Sequence, residues 1–203
     1  MSAQLKPDFI SEQEYFDGEE VSPIKHEWFD GEVFAMAGGS FNHTTICGKV
    51  FAAINSALRG RSCKARSGEQ RVKVEASGLI TYPDAVIFCP PSRFEGSNSH
   101  TLLTPKVIFE VLSDSTERYD RGDKFRAYAQ IETFTDYVLI DQNRVTVEHF
   151  RRTPDGWLLN TYLQRTDSLR LENVQIEVPL DLIYEELEFP ETPLSRPIVI
   201  EEP

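Results

Sequence analysis

The chain has little cysteine and no long apolar run, and each shortage removes a class of protein. Only three of its 203 residues are cysteine, Cys47, Cys63 and Cys89, and none forms a C-x-x-C pair. This odd number predicts reduced thiols rather than a zinc site or a disulfide framework. No apolar run is long enough to cross a bilayer, and the first residues lack the basic start and apolar core of a signal peptide. We therefore expect a soluble cytoplasmic protein without a membrane partner.

Positive charge is also scarce, since 21 Lys and Arg stand against 33 Asp and Glu and give a net charge of −12. This balance argues against a nucleic-acid binder, because Lys and Arg dominate phosphate contacts. The excess of acidic residues is unevenly distributed, however. The segment from Asp167 to the C-terminus holds ten acidic residues and only two basic ones. Two basic groups, within 59–73 and 118–126, are either solvated faces or surfaces for a phosphate-bearing ligand.

The length fits one domain, and the sequence has no internal repeat and no clear domain boundary. We expect a single domain over 1–187, followed by an acidic, proline-containing tail over 188–203. Nothing resembles a helix-turn-helix or zinc-finger module. Any target specificity is therefore expected from loops such as 89–104.

Hydrophobic periodicity and turn signals predict alternating helices and strands. Ser11 and Glu14 resemble a capping box, Asp30-Gly31 is a strong hairpin turn, and Ser40 can cap a helix. The predicted helices are 11–19, 41–58, 117–131 and 180–187, and the predicted strands are 25–29, 32–37, 71–75, 79–88, 107–112, 136–141, 145–150 and 157–163. A strand, helix and strand over 107–141 imply two parallel strands joined by a crossover.

Glu110 interrupts the apolar strand 107–112, and burying a carboxylate there is costly unless it is paired, neutralised or bound to a metal. Asp84 follows Pro83 at the start of another apolar run. If these strands are neighbours, the two carboxylates lie side by side and repel unless a cation neutralises them. Mg²⁺ suits such a pair, because it prefers carboxylate oxygens and retains several waters. Asp84 alone is equally well read as an ordinary turn acid.

Asp120, Lys124 and Tyr128 follow the Glu110 strand at spacings of four. This spacing puts all three on one helix face beside the strand that they have just left. Lys124 can then orient a water or add positive charge near the two acids. The simpler reading is a solvated ion pair between Asp120 and Lys124.

The order of these motifs resembles the PD-(D/E)XK nuclease superfamily, and more closely the Uma-type family of restriction-endonuclease-like proteins. The resemblance runs from about Asp8 to Leu187. Its motifs are Pro83-Asp84, then Glu110-Val111-Leu112-Ser113, then Asp120, Lys124 and Tyr128, with Gly31-Glu32-Val33, Met36-Ala37-Gly38, His43 and Asp136-Tyr137-Val138-Leu139-Ile140 also matching.

The resemblance implies an α/β fold with a restriction-endonuclease-like αβββαβ core, in which helices flank a mixed central sheet. The N-terminal helix and hairpin and a C-terminal antiparallel extension are added to this core. It also implies that Asp84 and Glu110 bind Mg²⁺. From the residues themselves we add the backbone carbonyl of Val111 as a third ligand and Mn²⁺ as an alternative ion. The superfamily's lysine position, two residues after Glu110, holds Leu112. We therefore assign that role to Lys124, whose long side chain can reach back to the strand.

Further residues are candidates for supporting roles. Glu32 is either an additional acid near the metal or an exposed hairpin carboxylate, and His43 either orients water or phosphate or packs near a helix start. Asp120 is a third auxiliary candidate. The candidates for substrate contact are Gln70, Arg71 and Arg121.

These residues predict a Mg²⁺-dependent endonuclease that hydrolyses DNA as a homodimer and needs no organic cofactor. Dimerisation follows from the family and from the need to cut two antiparallel strands. Two alternatives remain open at this point. One is an inactive nuclease fold that binds nucleic acid or a protein, and the other is a phosphoesterase for a small substrate.

Overall fold

The computed structural model of the chain describes residues 9–36, 38–96 and 99–189. The helices are α1 (Glu12–Glu19), α2 (Phe41–Ala57), α3 (Glu117–Tyr119), α4 (Phe125–Tyr128) and α5 (Leu180–Ile183), with a π-helical segment at Asp120–Lys124 and a 3₁₀ turn at Glu172–Val174. The strands are β1 (His26–Phe29), β2 (Glu32–Ala35), β3 (Lys64–Ser67), β4 (Arg71–Lys73), β5 (Ile80–Thr81), β6 (Ala85–Phe88), β7 (Thr101–Leu102), β8 (Val107–Leu112), β9 (Asp136–Asp141), β10 (Val147–Thr153), β11 (Gly156–Tyr162), β12 (Ser168–Leu171) and β13 (Ile176–Pro179).

The local capping and turn predictions are confirmed. Ser11 and Glu14 form a capping box at the start of α1, and the Ser40 side chain accepts the His43 N–H at the start of α2. β1 and β2 form the predicted hairpin, and its turn residues Asp30 and Gly31 have φ values of 48° and 82°. Glycine adopts this left-handed region without a Cβ penalty, which explains the sharp reversal.

A six-stranded mixed sheet forms the centre of the molecule, in the order β11-β10-β9-β8-β6-β3. β8 and β9 are parallel, as the predicted crossover requires, and the other neighbours are antiparallel. Every residue of β8 is buried. Alternate side chains of β8 pack in two different cores, Phe109 and Val111 with α2 and Ile108 and Leu112 with helix 117–128.

The predicted strand 79–88 is wrong as a single element. Its first part, β5, lies in a second sheet of order β2-β1-β5-β4-β7, whereas its second part, β6, lies in the central sheet. Pro83 stands between them and has no N–H to donate to a strand ladder. The chain therefore crosses from one sheet to the other at Pro83 and Asp84.

Four strands were missed by the sequence analysis: β3, β7, and the antiparallel pair β12 and β13 near the C-terminus. β3 lies in a stretch that was interpreted only as a basic cluster, yet it pairs with β6. β7 lies in the predicted loop 89–104 and pairs in parallel with β4. Both are short and polar in part, so no alternating pattern marks them.

The prediction of three reduced cysteines is also wrong. Cys63 directly precedes β3 and Cys89 directly follows β6, so the two lie at the same end of this strand pair and form a disulfide. Cys47 is a free thiol. The two cysteines are 26 residues apart in the sequence. Their proximity depends on the pairing of β3 with β6, and β3 was not predicted.

The C-terminal part agrees with the predictions in outline. β10 and β11 form the expected antiparallel pair, and the helix expected over 180–187 is present but shorter. Most of the predicted tail, residues 190–203, lies outside the described residues, as does Ala37. No helix within residues 9–36, 38–96 and 99–189 combines the length and the apolar character that a membrane crossing demands.

Candidate active site

Asp84 and Glu110 lie side by side, as the sequence analysis expected for neighbouring strands. The β6 and β8 register pairs Ala85 with Phe109, so the next position along brings Asp84 opposite Glu110. The Asp84 Oδ2 atom accepts the backbone N–H of Val111 at 2.7 Å. This hydrogen bond fixes the first carboxylate against the strand that carries the second.

Lys124 reaches Glu110 from helix 117–128. Its Nζ lies 3.0 Å from Glu110 Oε1 and 3.4 Å from Asp120 Oδ1. The Tyr128 hydroxyl donates to the same Glu110 oxygen at 3.0 Å. The predicted convergence of the strand and the helix face is therefore present, although the helix contains a π-helical segment at this point. Such segments occur often at functional sites, where they adjust the direction of side chains.

The acid that completes this cluster is Glu27 of β1, which the sequence analysis missed. Glu27 Oε1 lies 3.2 Å from Lys124 Nζ and also accepts the Thr81 hydroxyl. Trp28, its neighbour in β1, is buried against the opposite side in the α1 core. An acid that alternates with a buried tryptophan was the available signal, since alternate strand residues face opposite sides.

The protonation of the cluster follows from burial and charge together. Burial raises the pKa of Glu110 well above its usual value, and it also raises the pKa of Asp120. Burial alone would lower the pKa of Lys124, but Glu110, Glu27 and Asp120 together hold it well above the usual value. Lys124 is therefore a charged ammonium in the folded protein.

Asp84 differs from the other acids because it has a histidine partner. His43 Nε2, near the start of α2, lies 3.5 Å from Asp84 Oδ2. Burial acts to raise the pKa of Asp84, but the His43 hydrogen bond, the Val111 N–H and Lys124 outweigh it and lower that pKa. In turn the hydrogen bond to Asp84 raises the pKa of His43.

The cluster carries more negative than positive charge. Three acids, Glu27, Glu110 and Asp120, lie within 3.4 Å of the Lys124 ammonium, and Asp84 adds a fourth acid beside Glu110. This surplus and the raised pKa of Glu110 fit a site for a divalent cation, because a bound cation offsets the repulsion among the acids. Carboxylate oxygens from Asp84 and Glu110 are the ligands that Mg²⁺ and Mn²⁺ prefer.

A broad cleft of about 1870 Å³ gives access to this cluster. Its walls include the β1–β2 hairpin, the N-terminal half of α2, the segment 113–116 after β8, and helix 117–128. Typical small-molecule pockets measure roughly 300–1,000 Å³. The cleft is therefore large enough for an extended substrate.

Several predicted residues are not brought to the cluster. Glu32 lies at the turn end of the hairpin, is exposed, and is not among the described residues that line the cleft, which agrees with the second of its two readings, an exposed hairpin carboxylate. The Gln70 side chain donates to the His100 carbonyl at 2.7 Å, and Arg71 bonds Thr101 and stacks on Phe16. Arg121 pairs with Glu117 and Glu148. Gln70, Arg71 and Arg121 thus make contacts within the fold. These contacts give no support to the prediction that the three residues touch the substrate.

Known proteins resemble this chain in sequence and in fold. The Uma2 family model, described as "putative restriction endonuclease", matches residues 12–182. The uncharacterized protein slr1290 of Synechocystis sp. is 34% identical over 181 residues, which cover 89% of this chain and 94% of that protein. A second Synechocystis protein, sll1609, is 29% identical over 169 residues, 83% of this chain and 92% of the relative.

The crystal structure of a "putative nuclease belonging to DUF820" from Anabaena variabilis has the same fold, with a TM-score of 0.65 at 16% identity. The match covers 81% of this chain and 92% of that one. The fold and the arrangement of two acids and a lysine thus define a restriction-endonuclease-like protein, which confirms the predicted fold class. The chain belongs to the Uma2 family. Family and fold together support a nuclease, an enzyme that hydrolyses phosphodiester bonds.

Proposed function

We propose that this protein is an endonuclease that cuts DNA with the help of Mg²⁺ or Mn²⁺. The observation that carries the proposal is the meeting of Asp84, Glu110 and Lys124 in one cleft, from three separate elements. A structural ion pair would need only one acid for one lysine. The surplus of buried acids instead fits a cation and a negatively charged substrate.

Asp84, Glu110 and the Val111 carbonyl are the groups that would hold the ion. When bound, Mg²⁺ supplies a more acidic water and offsets charge on the phosphoryl oxygens. The Val111 N–H already fixes Asp84, so this carboxylate is oriented before the ion arrives. Preorganised ligands of this kind lower the cost of binding and reaction.

Lys124 has the second chemical role in the proposal. Its ammonium is charged, nearly buried and held among three acids, so its position is well defined. An ammonium at that place can orient a water and stabilise the negative charge that grows on the phosphate during hydrolysis. Leu112, at the position where the superfamily has its lysine, is buried in the apolar core and has no such function.

The size of the cleft favours a polymer over a small phosphoester. A volume of about 1870 Å³ exceeds that of ordinary small-molecule pockets. The acids at its floor also repel phosphates in the absence of metal. We therefore expect that DNA binds tightly only when a divalent cation is present.

The test is incubation of the full-length protein with supercoiled DNA, linear DNA and RNA, with Mg²⁺, with Mn²⁺ or with EDTA. Nicking or linearisation of supercoiled DNA with either metal, and loss of the activity in EDTA, is the expected result. Asp84→Asn and Glu110→Gln should each lose activity, whereas Glu32→Gln, an exposed acid on the same hairpin as Glu27, should retain it. Cleavage that persists equally in EDTA or in both site variants would overturn the proposal.

Two further predictions belong to this proposal. A homodimer is supported by the exposed apolar side chains on the edge strands β2 and β11, including Val33, Phe34, Leu158 and Leu159. Light scattering on the purified protein tests it, and a monomeric mass would contradict it.

A cytoplasmic location was inferred partly from reduced cysteines, and the Cys63–Cys89 disulfide removes that support.

A further inference from the structure

A second group of metal-ligating side chains touches Asp84 from the side of α2. His43 and Cys47 stand one helical turn apart on α2, with the His43 Nδ1 atom 3.5 Å from the Cys47 Sγ atom. The other ring nitrogen, Nε2, lies 3.5 Å from Asp84 Oδ2. One ligand atom from each of the three residues lies within 4.8 Å of the other two. Three different donor groups thus converge without the Glu110 and Lys124 side chains.

The donor set differs in kind from the pair of acids described above. A thiolate and an imidazole select Zn²⁺ and similar ions, whereas Mg²⁺ prefers oxygen ligands alone. Zinc bonds of about 2.0–2.3 Å in a tetrahedron separate neighbouring ligand atoms by roughly 3.3–3.7 Å. The two separations of 3.5 Å involve different ring nitrogens, Nδ1 toward Cys47 and Nε2 toward Asp84, whereas one ion binds a single nitrogen. With one nitrogen the ligand atoms lie within 4.8 Å of one another, so the three groups must move about 1 Å closer to hold the ion. A modest rotation of the His43 ring would bring a single nitrogen toward both other ligands.

We infer that His43, Cys47 and Asp84 bind a thiophilic divalent cation such as Zn²⁺, with the fourth position open to water. Cys47 would bind as the thiolate, and its thiol proton passes to the solvent as the ion enters. The thiol is protonated in the metal-free protein, because burial raises the pKa of Cys47. Three protein ligands and one open position are typical of accessible zinc sites.

The surroundings allow an ion to reach these ligands. All three residues line the cleft, and the His43 and Asp84 side chains are 19% and 22% exposed. The ring of His43 packs closely over Gly39, where an added Cβ would lie 2.5 Å from Nδ1. Glycine at this position therefore permits the ring to lie between Cys47 and Asp84.

Cys47 is the residue that distinguishes this site from the rest of the chain. The only other cysteines, Cys63 and Cys89, are joined to each other and offer no thiolate. A metal–thiolate signal from the oxidised protein can therefore come from Cys47 alone. This gives the inference a spectroscopic test that does not depend on any enzymatic activity.

Asp84 is shared between this site and the proposed Mg²⁺ site. An ion held by His43, Cys47 and Asp84 takes a carboxylate oxygen away from the acid pair with Glu110. Zn²⁺ is therefore expected to inhibit metal-dependent cleavage. This consequence rests on the proposed function, whereas the binding of the ion does not.

The binding test is a titration of the full-length, non-reduced protein with Co²⁺, a spectroscopic substitute for Zn²⁺. We expect a thiolate-to-cobalt absorption band in the near ultraviolet with one ion per chain, and its displacement by Zn²⁺. Cys47→Ala should lose the band and bind Zn²⁺ at least about tenfold more weakly. The matched control His100→Ala changes an exposed histidine outside the cluster. It should keep both the absorption band and the Zn²⁺ affinity of the original protein. Absence of the band, or equal Zn²⁺ affinity in the original protein and Cys47→Ala, would overturn the inference.

The inhibition test compares cleavage with and without Zn²⁺ at a fixed excess of Mg²⁺, as a ratio within each protein. The ratio should fall in the original protein and rise toward one in Cys47→Ala. An equal fall in both proteins would overturn the inhibitory role while leaving the Co²⁺ result to decide the site. Failure of the proposed nuclease function appears separately, as an absence of Mg²⁺-dependent cleavage while the cobalt band is still present.

Discussion

The Lys124 ammonium lies 3.0 Å from the Glu110 carboxylate, although the two residues come from different elements and face each other across a buried interface. Glu110 points to the same side of β8 as Ile108 and Leu112, the side on which helix 117–128 packs. The helix supplies the cation that the strand lacks, because Leu112 occupies the superfamily's lysine position. The ion pair therefore joins strand β8 to the helix that follows it in one site.

Replacement of Lys124 by methionine should slow cleavage by about 10²- to 10³-fold, because the variant loses the positive charge beside the developing negative charge. It should also destabilise the metal-free protein by about 3–5 kcal/mol, since buried acids lose their partner. Single-turnover cleavage and denaturant unfolding measure the two effects. A rate equal to that of the original protein would assign the superfamily's lysine role to another residue.

The unfolding of Lys124→Met should also depend on pH in a defined direction. Burial already raises the folded-state pKa of Glu110, and loss of the ammonium raises it further. A folded pKa above the unfolded value makes the protein relatively more stable at low pH, and this advantage is lost as pH rises through the folded pKa. The deficit in unfolding free energy should therefore shrink toward pH 5. A deficit that does not vary between pH 5 and pH 8 would contradict the charge explanation.

Glu27 is expected to act as a positioning residue for Lys124. Glu27→Gln keeps the size of the side chain but removes a charge 3.2 Å from Lys124 Nζ. We expect kcat to fall about tenfold with KM nearly unchanged, as for the loss of an outer partner at an active site. Glu32→Gln on the same hairpin is the matched control, because Glu32 does not line the cleft. Equal effects of the two substitutions would show that the hairpin matters only for folding.

Glu110 and Lys124 could be named as candidates from sequence because each belongs to a local pattern. Glu110 interrupts an apolar strand, and Lys124 recurs at helical spacing from Asp120. Glu27 leaves only a weak signal, its alternation with the buried Trp28, since an acid in a short hairpin strand is ordinary. Its role arises only when β1 pairs with β5 and faces helix 117–128, which is a long-range contact. Glu32 was the acid of this hairpin that the sequence analysis named as a candidate, because it lies within the family motif Gly31-Glu32-Val33.

The same distinction explains the fold. The helix caps, the Asp30-Gly31 turn and strand β8 depend on neighbouring residues and were predicted. The division at Pro83 and the Cys63–Cys89 disulfide depend on strand pairing between distant segments and were not predicted. The disulfide was missed because strand β3, which begins beside Cys63 and pairs with β6, was not recognised. The division at Pro83 was missed because β5 pairs with β1 and β4 in the second sheet.

Mg²⁺ should stabilise the protein even without DNA. An ion that binds only the folded state adds about 2.7 kcal/mol to the unfolding free energy at a hundred times its Kd. Relief of repulsion between Asp84 and Glu110 is the physical source of this gain. The rise in Tm with Mg²⁺ should be lost in Asp84→Asn and retained in Glu32→Gln. An equal rise in Asp84→Asn would place the ion elsewhere on the chain.

The contact between His43 and Asp84 should make a pH-dependent contribution to the stability of the metal-free protein. The Asp84 hydrogen bond raises the folded-state pKa of His43 above its usual value of 6.5. The pKa of Asp84 is lowered, so the carboxylate remains charged over this range. A raised histidine pKa gives stability that is fully present below the unfolded pKa and is lost as pH rises through the folded pKa.

Unfolding of the original protein and of His43→Gln in a chelating buffer measures this contribution. The difference between their unfolding free energies should be largest near pH 6, where His43 is charged and Asp84 is ionised, and should decrease toward pH 9. In an Asp84→Asn background, His43→Gln should give a difference that is nearly independent of pH, because the neutral amide no longer favours the charged ring. A pH-independent difference in the original background would mean that packing rather than charge joins α2 to the acid pair.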